Sequence, residues 1–376
     1  QVSATIFPTT GSSDSGTPTP GAPLYPNIAA SAPAGPSRNI VFFAPDARLP
    51  QIDQFDLVVE HQLSANTVVS VSYIGSIGRF LPLAQDINLP APTTINYTLT
   101  GAPPVELIHG PSLPASGTTF TVPFFAGARP NANFNQMSQI STIVRSYYHA
   151  VAFQFNRRMT HGLQFQTSYT FSRALDDDQI SSATLSGNTP FDPANVKLDY
   201  SPSNFDAHSR LGASLVWQPE YFKDSNVVAR NALSGWTLSP IVVLASGLPF
   251  TGTVTGNAPA GTGATTTGEI GASGSSRVPF FARNSFRMPH YFNTDIRLAR
   301  DIRIHERMAL QLSVDTFNLF NNVNITSVNS LLLRTGGSPA TPTLAYQSTF
   351  GLLSNGNNGT FAPTPRQLQF GARFSF

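Results

Sequence analysis

The sequence predicts an all-β chain: an antiparallel, up-and-down transmembrane β-barrel that crosses a membrane with strands. Three observations predict it. Several runs alternate apolar and polar residues with the period of two that a wall with unlike faces requires. The connections between these runs fall into two classes, short turns and long polar stretches, that segregate by side. Charged residues supply 11% of the 376, against about a quarter in a soluble domain, while Phe alone contributes 28 and Tyr 10, which favours strands over helices.

Residues 1–37 are rich in Pro, Gly, Ser and Thr, as in Thr17-Pro18-Thr19-Pro20-Gly21, and read as a loop or tail without a core. Barrel strands with long extracellular loops are expected over 38–376. The clearest runs are 163–171, where Leu163, Phe165, Tyr169 and Phe171 oppose Gln164, Gln166, Ser168 and Thr170, and 308–316, where Met308, Leu310, Leu312 and Val314 oppose Ala309, Gln311, Ser313 and Asp315. Val151, Phe153 and Phe155 alternate with Ala152, Gln154 and Asn156, and Phe292, Ile296 and Leu298 with Asn293, Asp295 and Arg297. Weaker candidates lie at 39–43, 51–63, 67–74, 79–88, 133–144, 210–217 and 236–245; with the C-terminal run they make about twelve strands.

Short turns near 64–66, 160–162 and 304–306 contrast with long stretches at 176–205, 248–288 and 321–365. Outer-membrane barrels have short periplasmic turns and long outer loops. With the C-terminus in the periplasm, the turns at 304–306 and 160–162 and the connection at 219–233 fall inside and the three long stretches outside. The same count puts the Pro-rich region between Asn88 and Asn133 on the periplasmic side, unless 93–100 and 118–125 form an additional hairpin. A cation on the lipid side at mid-membrane costs roughly 2–4 kcal/mol, so the Phe and Leu rows should face lipid and the charges Asp295, Arg297, Asp315 and Arg373 the lumen. Asp206, His208 and Arg210 stand at a strand start; alternation gives them one shared, lumenal face, and ion pairing outweighs metal ligation there.

Much is excluded. No Cys is present, which removes disulfides, Cys-ligated zinc and thiol catalysis; the seven His are scattered. No G-x-S-x-G occurs, and Gly252 to Gly274 is Gly/Thr/Ala-rich without the Lys of a phosphate loop, so it reads as a flexible outer loop. Asp176-Asp177-Asp178 lacks the spacing of a calcium loop and reads as a solvated charge run. Neither enzyme activity nor a cofactor is expected, and a balance of +2 indicates no nucleic-acid partner. No stretch approaches the eighteen apolar residues of a membrane helix. Tyr147, Tyr148, Tyr169, Phe171, Trp217 and Trp236 lie near strand ends and suit interfacial girdles or packing between strands equally.

The terminal octet Gln369-Phe370-Gly371-Ala372-Arg373-Phe374-Ser375-Phe376 resembles the C-terminal signal that outer-membrane barrels present to the barrel-assembly machinery, with Gln369, Gly371, Phe374 and Phe376 in its four defined positions. The runs Gln51-Ile52-Asp53-Gln54-Phe55-Asp56-Leu57, Val71-Ser72-Tyr73-Ile74-Gly75-Ser76, Gln164 to Asp176, Asn204-Phe205-Asp206-Ala207-His208-Ser209-Arg210 and Phe317-Asn318-Leu319-Phe320-Asn321 follow one another as in the TonB-dependent receptor barrels of the Oar-like type. The chain resembles the C-terminal half of such a barrel from about residue 39 onward. That resemblance implies about 22 strands around a plugged lumen, of which about twelve are seen here. It also implies a signal peptide and plug domain ahead of the barrel; neither is visible, so contact with the TonB complex is expected through a plug outside this chain. The implied function is outer-membrane transport of an unidentified ligand, with membrane lipid as the surrounding partner. Two alternatives are carried: a smaller closed pore or adhesin barrel without TonB coupling, and a secreted glycan-binding β-sandwich.

Overall fold

The computed structural model describes residues 38–104, 109–125, 127–178, 190–219, 234–256, 277–305, 308–356 and 365–376. In chain order the strands are β1 (Arg38–Phe43), β2 (Gln51–Ser64), β3 (Thr67–Asp86), β4 (Thr93–Thr100), β5 (Thr119–Phe124), β6 (Phe134–Thr160), β7 (Leu163–Asp176), β8 (Ser201–Pro202), β9 (Ser209–Trp217) and β10 (Trp236–Ala245). They continue as β11 (Pro249–Phe250), β12 (Thr253–Thr255), β13 (Phe286–Arg287), β14 (Tyr291–His305), β15 (Met308–Phe317), β16 (Ile325–Val328), β17 (Leu331–Ser338), β18 (Thr341–Tyr346), β19 (Leu353–Gly356) and β20 (Gln367–Ser375). A 3-10 turn, Val196–Asp199, precedes β8.

Nine strands form an antiparallel wall in the order β2-β3-β6-β7-β9-β10-β14-β15-β20, and β1 and β8 join it at β6 and β7. Directly opposed residues of an antiparallel pair share a face, so the register sorts the wall into two surfaces. Leu298, Val314 and Phe370 align across β14, β15 and β20, as do Arg297, Asp315 and Gln369 one residue further on. The polar surface carries small side chains: Ser70, Ser72, Ala150, Ala152 and Ser172 are buried, while Val71, Tyr73, Phe153 and Phe171 on the other surface are exposed. A sheet curved toward its polar side produces this pattern, crowding the inner side chains and spreading the outer ones. The turn between β6 and β7 has His161 and Gly162 at φ 50° and 72°, the left-handed pair that a two-residue hairpin needs to match strand twist.

Two pairs of expected strands are single strands. The runs 67–74 and 79–88 are both β3, and 133–144 and 151–156 are both β6. At 20 and 27 residues these exceed the about 9–11 residues of a tilted crossing, and they run on together beyond their neighbours, with Asp86 opposite Ser138. The break expected between 74 and 79 is a bulge, where Phe80 adopts φ 55° and the register shifts between Gly78 and Leu81. Merging the two halves of β6 removes one crossing from the count. The Pro-rich region 87–133 therefore lies at the same end of the wall as the other long connections, which corrects its expected periplasmic place.

The hairpin within that region does form, β4 against β5, but in a second sheet. This sheet has the order β12-β17-β18-β4-β5 and draws its strands from three different long connections. The main apolar core lies here: Tyr97, Leu99, Val122, Val254, Val278, Leu332, Leu333 and Leu344 are almost fully buried together. Period-two patterning makes it, since Pro342, Leu344 and Tyr346 of β18 turn inward while Thr341, Thr343 and Ala345 do not. The long connections are thus a folded cap with a core of their own.

Candidate functional site

Cap and wall meet along a seam of buried ion pairs. Its acids stand at or beside the ends of wall strands: Asp86 closes β3, Asp176 closes β7, Asp199 lies in the 3-10 turn and Asp206 just before β9. Its bases come from the connections: Arg129 before β6, and Arg277, Arg283 and Arg287 between β12 and β14. Arg129 Nη1 lies 2.7 Å from Asp86 Oδ2 and Arg277 Nη1 2.9 Å from Asp199 Oδ1. Arg283 pairs with Asp176, and Arg287 with Asp206, in direct contact. All four acids are buried. Burial of a charge is costly unless partners replace its water, and the carboxylates of Asp86, Asp199 and Asp206 each have further donors.

Asp206 is the most enclosed, with its residue 1% exposed. Its Oδ1 accepts the Ala174 N–H at 2.7 Å, and its Oδ2 lies 2.9 Å from His208 Nε2. Arg287 Nη1 also donates to the carbonyls of Asp206 at 2.9 Å and Gly247 at 3.2 Å. Asp86 Oδ1 accepts N–H groups from Asn88 and Met137 at 3.0 and 3.1 Å. Asp199 Oδ2 accepts the Phe191 N–H at 2.9 Å, and the Arg277 guanidinium lies over the Phe191 ring. Asn284, at φ 57°, donates through Nδ2 to the Pro202 carbonyl and to Asn204 Oδ1, both at 2.7 Å. Burial pushes the Asp199 carboxyl above its ordinary range, against the pull of Arg277, and pushes Arg277 below its own. Both shifts run toward neutrality, so desolvation outweighs the pairing for each group.

The sequence-predicted residues are placed as follows. Arg210, Asp295, Arg297, Asp315 and Arg373 lie on the polar surface of the wall: Arg210 opposes Thr170 and Ala245, Asp295 opposes Ile241, and Arg373 opposes Gln311. Arg297 Nε is 3.6 Å from Asp315 Oδ1, and Asp295 Oδ1 accepts the Asn318 N–H at 2.8 Å. Asp206 and His208 do not share a strand face with Arg210, because β9 begins at Ser209 and both precede it. They pair with each other and with Arg287, leaving Arg210 on the wall. Asp176-Asp177-Asp178 is not a solvated run either: Asp176 and Asp178 are buried, and Asp177 Oδ2 accepts the Arg145 N–H at 3.1 Å. Of the Gly-rich stretch, residues 257–274 lie outside the described residues, while Thr253–Thr255 is a cap strand.

In the terminal octet, Gln369 opposes Asp315, Phe374 opposes Leu310 and stacks on Phe376, and Gly371 opposes Ser313, whose hydroxyl lies where a Cβ would go. Among the described residues no group of three His, Asp or Glu side chains is arranged to hold a metal ion. The seam arginines were not singled out from sequence, and the one available signal was their concentration in the loops of a charge-poor chain.

A curved antiparallel wall with one apolar and one polar surface, short turns at one end and a cap of long connections at the other, is the architecture of a membrane-crossing β-barrel. Residues 1–369 match the outer membrane beta barrel domain family, and the chain belongs to that family; it is a protein of the outer membrane. No curated protein matches it. Among solved structures it is similar to the closed form of the ferric-catecholate import receptor Fiu of Escherichia coli K12, at 10% identity and a TM-score of 0.41, over 88% of this chain and 28% of that one. It is also similar to the outer membrane transporter YddB of Escherichia coli (8%, 0.43, over 90% and 34%) and to the ferripyoverdine receptor of Pseudomonas aeruginosa (13%, 0.41, over 87% and 27%). The chain spans about a third or less of the length of these proteins.

Proposed function

We propose that this chain is barrel wall and outer loops of a TonB-dependent receptor of the Oar-like type, which takes up a scarce ligand across the outer membrane. The observation that carries the proposal is the cap: four long connections contribute to one core and are fastened to the wall rim by buried Arg–Asp pairs. An open pore gains nothing from a folded cover, whereas a receptor that captures ligand from outside and admits it on demand needs one. The order of sequence segments supports the TonB-dependent type. In this proposal the ligand meets the cap first, and energy reaches the lumen through a plug domain outside this chain. The role is transport without catalysis, and the Gln369, Gly371, Phe374 and Phe376 signal addresses the barrel-assembly machinery.

The runner-up is a smaller closed pore or adhesin without coupling. Against it stands the open wall: β2 and β20 each pair on one side only among the described residues, while a closed barrel joins its first and last strands. Liposome swelling with the full-length protein separates the two. A gated receptor gives no arabinose or maltotriose influx until the cap is deleted; influx through the intact protein would overturn the proposal in favour of the pore.

A further inference from the structure

We propose that the outward surface of the wall carries, at its long-connection end, a binding site for the phosphates of outer-leaflet glycolipid, with Arg145 and Arg173 as its cations. The site rests on the orientation in which the long connections are extracellular. Over most of its height the outward surface is apolar, with Val71, Tyr73, Phe153, Tyr169 and Phe171 exposed. Toward the long-connection end the chemistry changes while the strand parity does not. On β6 the outward positions above Phe153 and Val151 are His149, Tyr147 and Arg145, and Arg173 of β7 stands directly opposite His149. Arg145, His149 and Arg173 are exposed.

These two arginines are not explained by the wall. No carboxylate lies within ion-pair distance of either among the described residues; Asp177 takes the backbone N–H of Arg145 and feels the charge of its guanidinium only from beyond that distance. The contrast is Arg79 at the same end, which is paired with Asp53 at 3.0 Å. Tyr147 packs edge-on against Tyr200, and Tyr73 is hydrogen-bonded to His149 Nδ1 at 2.9 Å, so an aromatic border marks the edge of the apolar band. Outward cations are disfavoured at mid-membrane but tolerated near an interface, where anionic headgroups attract them. The occupant must combine acyl chains, for the band below, with anionic groups at the height of the arginines. A phosphorylated glycolipid has both.

The test titrates full-length protein in detergent with diphosphoryl lipid A, with the same glycolipid stripped of both phosphates, and with inorganic phosphate. Wild type, Arg145→Gln/Arg173→Gln and Arg145→Lys/Arg173→Lys are compared. Wild type should bind the diphosphoryl form about tenfold more tightly than the stripped form, the Gln pair should lose most of that factor, and the Lys pair should keep most of it. Inorganic phosphate should not compete. Equal binding of the two glycolipids by wild type overturns the proposal whether or not the variants fold. So does a folded Gln variant that binds like wild type, or competition by inorganic phosphate, which would indicate a free-anion site.

Discussion

Asp206 and Arg287 form a buried ion pair that joins the entry of a wall strand to the base of the cap, although 81 residues separate them. Removing one partner from such a pair strands the other without water, at a cost of about 3–5 kcal/mol. Asp206→Ala and Arg287→Ala should each loosen the cap by that order. The double variant should cost less than the sum, since the two substitutions remove one interaction. Hydrogen exchange at Leu333 and Leu344 measures cap opening, and strict additivity would show that the pair does not hold the cap.

The outward surface can be told from the inward one by a single-step comparison. Leu312 faces Ala372 on the apolar side and Gln311 faces Arg373 on the polar side. Leu312→Arg should cost about 2–4 kcal/mol in the membrane, and Gln311→Arg much less apart from its closeness to Arg373. Heat-dependent mobility of the assembled protein on gels compares the two. Equal losses would mean the faces are assigned wrongly.

Phe55 lies across Gly75 on the adjacent strand, its ring filling the space a Cβ would need, and the ring also neighbours Tyr73 and His149. Gly75→Ala should force the ring aside and cost about 1–3 kcal/mol. Adding Phe55→Ala should recover part of the Gly75→Ala loss, which denaturant titration in detergent would detect as non-additivity. A Gly75→Ala protein as stable as the parent would remove the Phe55 ring from the account of this pair.

Acid should strengthen the cap through Asp199. Its carboxyl is held above the ordinary 3.8 by burial. A group whose folded pKa is raised contributes stability that is full below its unfolded value and is lost as pH rises through the folded one. On going from neutral pH toward 4, exchange protection at Leu344 in the parent should therefore gain on that in Asp199→Asn. A gap that stays constant or narrows would mean that burial does not dominate at Asp199.

Tyr346 ties the cap together across 232 residues, its hydroxyl donating to the Pro114 carbonyl at 2.7 Å. Burial pushes this phenol up to about 12, so it stays a donor across the physiological range. Tyr346→Phe should cost about 1 kcal/mol of cap stability and leave the wall untouched. Exchange at Leu344 should rise while exchange at Leu312 does not.

The wall was legible because its cause is local. Alternation at 163–171 and 308–316 shows which side chains must part, and β7 and β15 follow it within a few residues at either end. The extent of β3 was not legible, because Gly75 and Gly78 carry a turn signal locally, whereas in the fold the strand runs on through them paired with β6. Of the residues expected to face a lumen, Arg210, Asp295, Arg297, Asp315 and Arg373 share one surface of the wall, whereas Asp206 and His208 precede β9 and belong to the seam, which was missed. Asp206 looked like a wall residue until Arg287 arrived from another connection.

Taken alone, the sequence determined the fold class, the two unlike surfaces and the alternation of the C-terminal strand, since each follows from side-chain periodicity along a few consecutive residues. Only the tertiary structure decided that the long connections are a cap. Their strands are short and pair across hundreds of residues, as Tyr97 and Leu99 do with Leu344 in one core. No local pattern encodes such pairing, because the free energy that favours it exists only once three separate connections have met.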